Sequence, residues 1–259
     1  MGYNTLFIGH SVINLDKVDS TNNYLHTLLS EKPIAEGFIV RAVEQYAGKG
    51  QRGNSWLSQP GANLTFSILL EPKFLPLAEQ FWLTKALALG VAEFVSTMVP
   101  SALVNVKWPN DIYADGRKIA GILVENILER SIIKYCIAGI GLNVNQDSFD
   151  PLLPNATSLK MFAGKAFDLS LCLESICISI EKFYLELRNS DYKRIDELYH
   201  KLLYKRDVSG NFLLDGKPLE GTIKGVSAQG HLLINTKSGS ELIVKDTVEV
   251  RDVKHLVFL

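Results

Sequence analysis

Lys107-Trp108-Pro109-Asn110-Asp111, followed a few residues on by Arg117-Lys118-Ile119-Ala120-Gly121-Ile122-Leu123-Val124-Glu125, is the stretch on which the reading of this chain turns. Its first half sets a cation, an aromatic ring, a rigid turn and two polar carbonyl-type side chains at the end of an apolar strand. Its second half begins with two cations and enters another strand. An ammonium at Lys118 flanked by apolar residues needs an anionic partner, because desolvating it alone is costly. Taken alone, the run is also an ordinary β-hairpin with charged ends.

Strands are expected over Val104 to Trp108, Lys118 to Leu128 and Ile132 to Val144, with Asp115-Gly116 as a turn signal between the first two. Upstream, Glu36 to Val43 and Ala62 to Leu70 are rich in β-formers and bracket a long loop of Gly, Gln and Ser. Before them, Ser20 or Thr21 is expected to cap a short helix carrying Tyr24, Leu25, Leu28 and Leu29. Apolar residues recur at helical spacing from Leu77 to Met98 and from Leu171 to Leu187, and a further helix is expected from Tyr192 to Leu203. After Arg206 the texture changes to short β-rich runs divided by Asp215-Gly216, Gln229-Gly230 and Ser238-Gly239, the spacing of a small antiparallel barrel or sandwich. The expected architecture is α+β: a large mixed-sheet domain over residues 1–205 and a small all-β unit over 206–259.

Composition narrows the function classes. The chain has 259 residues, 47% of them hydrophobic and 21% charged, which is globular and excludes collagen, coiled coil and wholesale disorder. A net charge of −1 argues against coating nucleic acid by bulk electrostatics. Uninterrupted apolar runs fall short of the ~18 residues of a bilayer span, and the first residues lack the pattern of a signal peptide. Cys136, Cys172 and Cys177 sit in apolar segments and read as buried free thiols in a reducing cytoplasm. No Cys/His pair has zinc spacing.

Gly48-Lys49-Gly50-Gln51-Arg52-Gly53 matches G-x-G-x-x-G, but it runs into turn chemistry and a strand rather than a helix, so a dinucleotide fold is disfavoured. Kinase catalytic motifs and Walker spacing are absent. What remains is a glycine loop with two cations, able to bring N–H groups and positive charge to an anion, with Gly50 the glycine expected at positive φ. A solvated surface loop has the same composition. Gly139-Ile140-Gly141-Leu142-Asn143-Val144-Asn145 places glycines in a strand, marking either a β-bulge or a close approach by a ligand or another backbone.

In this order the pieces resemble the biotin protein ligase family. The likeness runs through Ser20-Thr21-Asn22, Gly48 to Trp56, Gly61-Ala62-Asn63-Leu64, Lys107 to Asp111, Arg117 to Glu125, Gly139 to Asn145, Thr157-Ser158-Leu159 and the C-terminal β unit. It implies a class II synthetase-like catalytic domain and an SH3-like C-terminal barrel. It also implies a two-step reaction: biotin and ATP with Mg²⁺ give biotinyl-5′-AMP, and a lysine of a biotin carboxyl carrier protein domain then takes the biotin. By resemblance, Lys118, Arg52 and Asp111 are catalytic. Asp111 binds Mg²⁺ or orients the incoming lysine, two roles left open. Ser20, Thr21, Asn22, Gln45, Gly48, Lys49, Gly50, Gln51, Trp56, Gly121, Ile122, Gly139 and Gly141 join Lys118 around biotin. Arg52, Gly53, Trp56, Lys107, Asn110, Lys118 and Asn143 face the adenylate.

The family's best-known flap reads G-R-G-R-R-G-R-x-W, and here Lys49, Gln51 and Asn54 replace three of its four arginines. Some members carry an N-terminal DNA-binding domain; the 19 residues before Ser20 are too few for one, so no DNA partner is expected. Homodimerisation is an expectation of the resemblance, and no membrane partner is expected. A lipoate-type ligase on a related fold and a non-catalytic biotin-binding sensor are the competing readings.

Overall fold

The structure, a computed structural model, describes residues 3–130, 132–214, 217–237 and 240–244, without the side chains of Arg52 and residues 213, 214, 217 and 218. Seven strands form one sheet: β1 (Val12–Val18), β2 (Ile39–Gln45), β3 (Leu64–Leu70), β4 (Val104–Lys107), β5 (Asp111–Ala114), β6 (Arg117–Glu129) and β7 (Ile132–Leu142). Their order is β1-β2-β3-β7-β6-β5-β4. β1 and β2 run parallel across the helix α1 (Thr21–Glu31), and every other neighbouring pair is antiparallel. The four-residue β5 and the edge strand β1 escaped the sequence reading, since each is short or of mixed polarity.

Alternation along the strands sorts the sheet's two faces. Ile39, Ile68, Leu70 and Ala138 enter the main core, whereas Val40, Leu69 and Ile137 pack with Leu25 and Leu28 of α1. The main core is covered by α2 (Phe81–Met98) and α4 (Leu169–Arg188), with α5 (Tyr192–Leu202) beside them. A short helix, α3 (Leu159–Ala163), precedes α4. The expected helix from Leu77 starts with a separate 3-10 turn at Leu77–Glu79, and α2 begins only at Phe81. By length and composition the span Leu77–Met98 could cross a membrane, yet two thirds of it is buried inside this protein, as a core helix is.

Gly90 lets α2 and α4 touch backbone to backbone: a Cβ there would lie 2.7 Å from Ile180 Cα. Gly90→Leu is therefore expected to push the helices apart and cost about 1–3 kcal/mol, as overpacked cores do; a denaturant midpoint unchanged from that of the parent chain would refute this. Lys85, fully buried on the same helix, donates to Asp196 of α5 at 2.5 Å and lies 4.4 Å from the centroid of the Trp82 ring. Cys136, Cys172 and Cys177 are free and buried, and burial pushes their thiols up.

The C-terminal unit is a four-stranded antiparallel sheet of β8 (Ser209–Leu214), β9 (Lys217–Val226), β10 (Leu232–Thr236) and β11 (Glu241–Val244), in the order β11-β10-β9-β8. The expected turns at Asp215-Gly216 and Ser238-Gly239, and any closure of a barrel by residues 245–259, lie outside the described residues. Phe212, Ile223, Val226 and Leu232 join the same core as the large sheet. Two polar contacts fasten the units: the Val226 N–H donates to His200 Nε2 at 2.9 Å, and the Trp108 indole donates to Gly230 O at 2.9 Å. We keep the division at 205/206 as a proposal resting on the change from helices to meander.

Candidate active site

On the α1 face of the sheet, small residues leave a floor. Gly139 pairs with Ser67 and Leu123, and Gly141 with Thr65 and Gly121, so apart from Leu123 this patch of three adjacent strands presents little side-chain bulk. The approach foreseen at these glycines is made by the chain's own side chains. A Cβ on Gly139 would sit 2.4 Å from Asn22 Oδ1, and one on Gly141 2.2 Å from Trp56 Cε2.

Above the floor stands the start of α1. Ser20 occupies the N-cap position with extended backbone, but its side chain makes no capping hydrogen bond, contrary to the capping role expected for it. Thr21 donates its N–H to Gln45 Oε1 at the end of β2 at 2.7 Å, and its hydroxyl oxygen lies 3.1 Å from the same atom. Asn22, only 2% exposed, donates to Glu125 Oε2 at 2.5 Å.

The glycine loop is a narrow hairpin rather than a long open loop. Trp56 N–H donates to Gly48 O at 2.8 Å, Lys49 bridges to Ser55, and Gly50 N–H donates to Asn54 O at 2.7 Å. A 3-10 turn at Gln51–Gly53 closes the tip. Gly50 has φ −114°, so the positive φ expected of it belongs instead to Gly53, at +75°. Gly48 is needed for closeness: a Cβ would stand 2.5 Å from Trp56 O. Lys49 Nζ donates to Asn23 Oδ1, and Asn23 in turn donates to Asp19, whose carboxyl is held below its ordinary range chiefly by that bond.

Lys118 reaches the cavity because β6 bulges. Opposite β5, Tyr113 pairs with Lys118 and Ile112 with Ala120, leaving Ile119 as the extra residue. Without it, Lys118 and Gly121 would fall on opposite faces; with it, both turn toward the cavity. Lys118 Nζ lies 2.7 Å from Asp111 Oδ1 and 5.6 Å from the centroid of the Trp56 ring. Its backbone is held by Asn155 O, which accepts its N–H at 2.6 Å, and by Thr157 N–H, which donates to its carbonyl at 2.9 Å. Lys107 Nζ donates to Tyr113 Oη at 3.2 Å; burial lowers the Lys107 ammonium and pushes the Tyr113 phenol up to about 12.

One cavity of about 160 Å³ collects Ser20, Thr21, Asn22, Gln45, Lys49, Gly50, Gln51, Trp56, Lys107, Trp108, Asn110, Asp111, Lys118, Gly121, Ile122, Gly139 and Gly141. Three lysines among its described lining face one carboxylate, so it favours an anionic guest. Gly48 and Gly53 form the base and tip of the hairpin rather than the wall. Asn143 is not brought to the cavity: it is 4% exposed and donates to Thr157 O at 3.0 Å. Asn110 lines the wall, but its amide donates to Ile122 O at 2.6 Å, clamping the Pro109 turn onto β6. The catalytic role expected of Arg52 falls on a side chain outside the described ones.

Ser67 and Asn23 belong to this site's polar framework and were not singled out by sequence; Glu125 belongs to it as well and closes the run from Arg117, which gave it no role of its own. A signal existed for Ser67, since Thr65 and Ser67 place two hydroxyls at alternate positions of the otherwise apolar β3. Asp111 offers one carboxylate, and no cluster of three or more His, Cys, Asp or Glu is present among the described residues to cage a metal. A lone carboxylate suits only a divalent cation that arrives with other ligands of its own.

Three comparisons bear on this arrangement. The profile of the biotin/lipoate A/B protein ligase family matches residues 15–143. Over 256 residues the chain is 31% identical to the bifunctional ligase/repressor BirA of Bacillus subtilis, an alignment covering 96% of this chain and 77% of that one. It is 28% identical over 239 residues to the biotin–(acetyl-CoA-carboxylase) ligase of Mycobacterium tuberculosis, covering 92% and 86%. Among solved structures it is similar to a biotin protein ligase from Aquifex aeolicus in complex with biotin and ATP. There the TM-score is 0.76 and the identity 28%, with 90% of this chain and 95% of that chain covered.

Proposed function

Because this chain belongs to the biotin/lipoate A/B protein ligase family, we propose that it activates biotin with ATP and transfers it to a lysine of a biotin carboxyl carrier protein domain. The observation that carries the reading is the convergence of the hairpin's Trp56 and the strand-borne Lys118 on one glycine floor. A biotin carboxylate oxygen attacks the α-phosphorus of ATP, the bond to the β-phosphate oxygen breaks, and biotinyl-5′-AMP and pyrophosphate result. The acceptor lysine's neutral amine then attacks the anhydride carbonyl; an amide forms, AMP leaves and the amine proton is lost.

The nucleophiles come with the substrates, so the protein's work is positioning and charge. Two anions must approach each other, and Lys118 is the cation set between them, oriented in the meantime by Asp111. Trp56, seated on the glycine floor, supplies a flat apolar wall for the bicyclic ring, and Thr21 and Gln45 supply polar ends for its ureido group. Lys49 and Lys107 add positive potential on the phosphate side, and Mg²⁺ enters with ATP.

The deciding experiment incubates the full chain with biotin and Mg-ATP, seeks biotinyl-AMP by mass spectrometry and measures biotin-dependent pyrophosphate exchange. A carrier domain in the mixture is expected to gain biotin on one lysine. Absence of the adenylate, or faster exchange with lipoate than with biotin, would overturn this reading.

A further inference from the structure

Glu125 stands outside the cavity wall and takes no part in the chemistry above, yet it terminates a chain of polar contacts that reaches Gln45 in the cavity wall. It lies on the α1 face of β6 paired with Ile137, and its Oε2 accepts from Asn22 Nδ2 at 2.5 Å. At its other end the Asn22 amide meets Ser67, whose Oγ lies 2.6 Å from Asn22 Oδ1 and 2.7 Å from Thr21 Oγ1. The Thr21 N–H in turn donates to Gln45 Oε1 at 2.7 Å. Gly139 leaves the Asn22 amide no bulk to lean on, since a Cβ there would occupy its place. Polar partners alone decide how that amide is turned.

An amide has a donor end and an acceptor end, whereas a carboxylate only accepts. Flipping Asn22 would set its oxygen 2.5 Å from a carboxylate oxygen, two acceptors in contact at a buried site. The carboxylate therefore commits Nδ2 to itself and Oδ1 to Ser67, making Ser67 a donor toward Asn22 and the Thr21 hydroxyl the donor toward Ser67. Farther along, Gln45 Oε1 is held by Thr21, which turns Nε2 toward the base of the hairpin, 3.1 Å from where a Gly48 Cβ would stand. We propose that Glu125 is a positioning residue: through Asn22 and Ser67 it sets which atoms at this end of the cavity donate and which accept. It thereby matches the cavity to a ureido group, an inference that rests on the biotin-ligase reading.

The test compares biotin binding by calorimetry, and KM for biotin against KM for ATP, in the full chain and in Glu125→Ala, Glu125→Gln and Ser67→Ala. Loss of a buried bond to a charged group is expected to weaken biotin binding roughly tenfold or more in Glu125→Ala. Glu125→Gln, which can still accept but no longer forbids the flip, should fall between it and the parent chain. Ser67→Ala, a small change on a buried strand, should show the same selective loss and keeps the proposal testable if Glu125→Ala fails to fold. KM for ATP should stay within about twofold throughout. Biotin binding undiminished in Glu125→Ala or Ser67→Ala, or an equal rise in both KM values, would overturn the proposal. A parent chain that binds no biotin would instead remove the ligase reading beneath it.

Discussion

Lys118→Ala is expected to slow biotin-dependent pyrophosphate exchange by roughly three orders of magnitude, the scale on which removal of one preorganised donor from a developing negative charge is felt. The reason is electrostatic. In the proposed reaction a carboxylate and a triphosphate repel where they must meet, and Lys118, whose ammonium the bulge in β6 turns into the cavity 2.7 Å from Asp111, is the cation that offsets the repulsion. Thermal stability should change little, because its side chain is about a third exposed and its loss leaves Asp111 at a partly solvated position. Single-turnover measurement of adenylate formation separates this from weaker binding: kcat should carry most of the loss. Near-normal turnover in a folded Lys118→Ala chain would remove Lys118 from the centre of the mechanism.

Gly141→Ala should weaken biotin binding by about 10- to 100-fold, or about 1.4–2.7 kcal/mol. The added methyl would lie 2.2 Å from Trp56 Cε2, 2.5 Å from Cζ2 and 2.6 Å from Nε1, and a rigid indole cannot bend out of its way. The backbone N–H of Trp56 is bonded to Gly48 O within the hairpin, so displacing the ring strains the hairpin that bounds the cavity. Alanine costs less backbone entropy than glycine in a strand, so the fold should persist and the defect should register as faster biotin dissociation. A shift in tryptophan emission would report movement of Trp56. Unaltered biotin affinity together with unaltered emission would mean that the glycine floor does not set the place of Trp56.

Much of the site was legible because its chemistry is local in sequence. Lys107 to Asp111 and Lys118 to Gly121 are one hairpin, and the demand of an apolar-flanked ammonium for an anion is met by Asp111 within that hairpin. Strands with clear alternation and helices with long apolar stripes were legible for the same reason: each element's periodicity records the face it buries. Asn143 shows where local reading stops. Its neighbours Gly139 and Gly141 face the cavity, but beyond the end of β7 its amide turns to Thr157, a partner supplied by another segment. Gly50 and Gly53 were equivalent as letters, and the 3-10 turn decided which needs positive φ.

Sequence alone determined the inventory: a glycine loop, a strand-end lysine with a nearby carboxylate, small residues in a central strand, and a β-rich C-terminal unit. Only the tertiary structure decided that the extra residue Ile119 turns Lys118 and Gly121 to one side, that Gly139 and Gly141 make room for Asn22 and Trp56, and that Glu125 governs Asn22 across 103 positions of chain. The physical reason is that register and close approach are properties of pairs of segments. A one-residue slip reverses every side chain of a strand, and no single segment's composition records which partner will impose it.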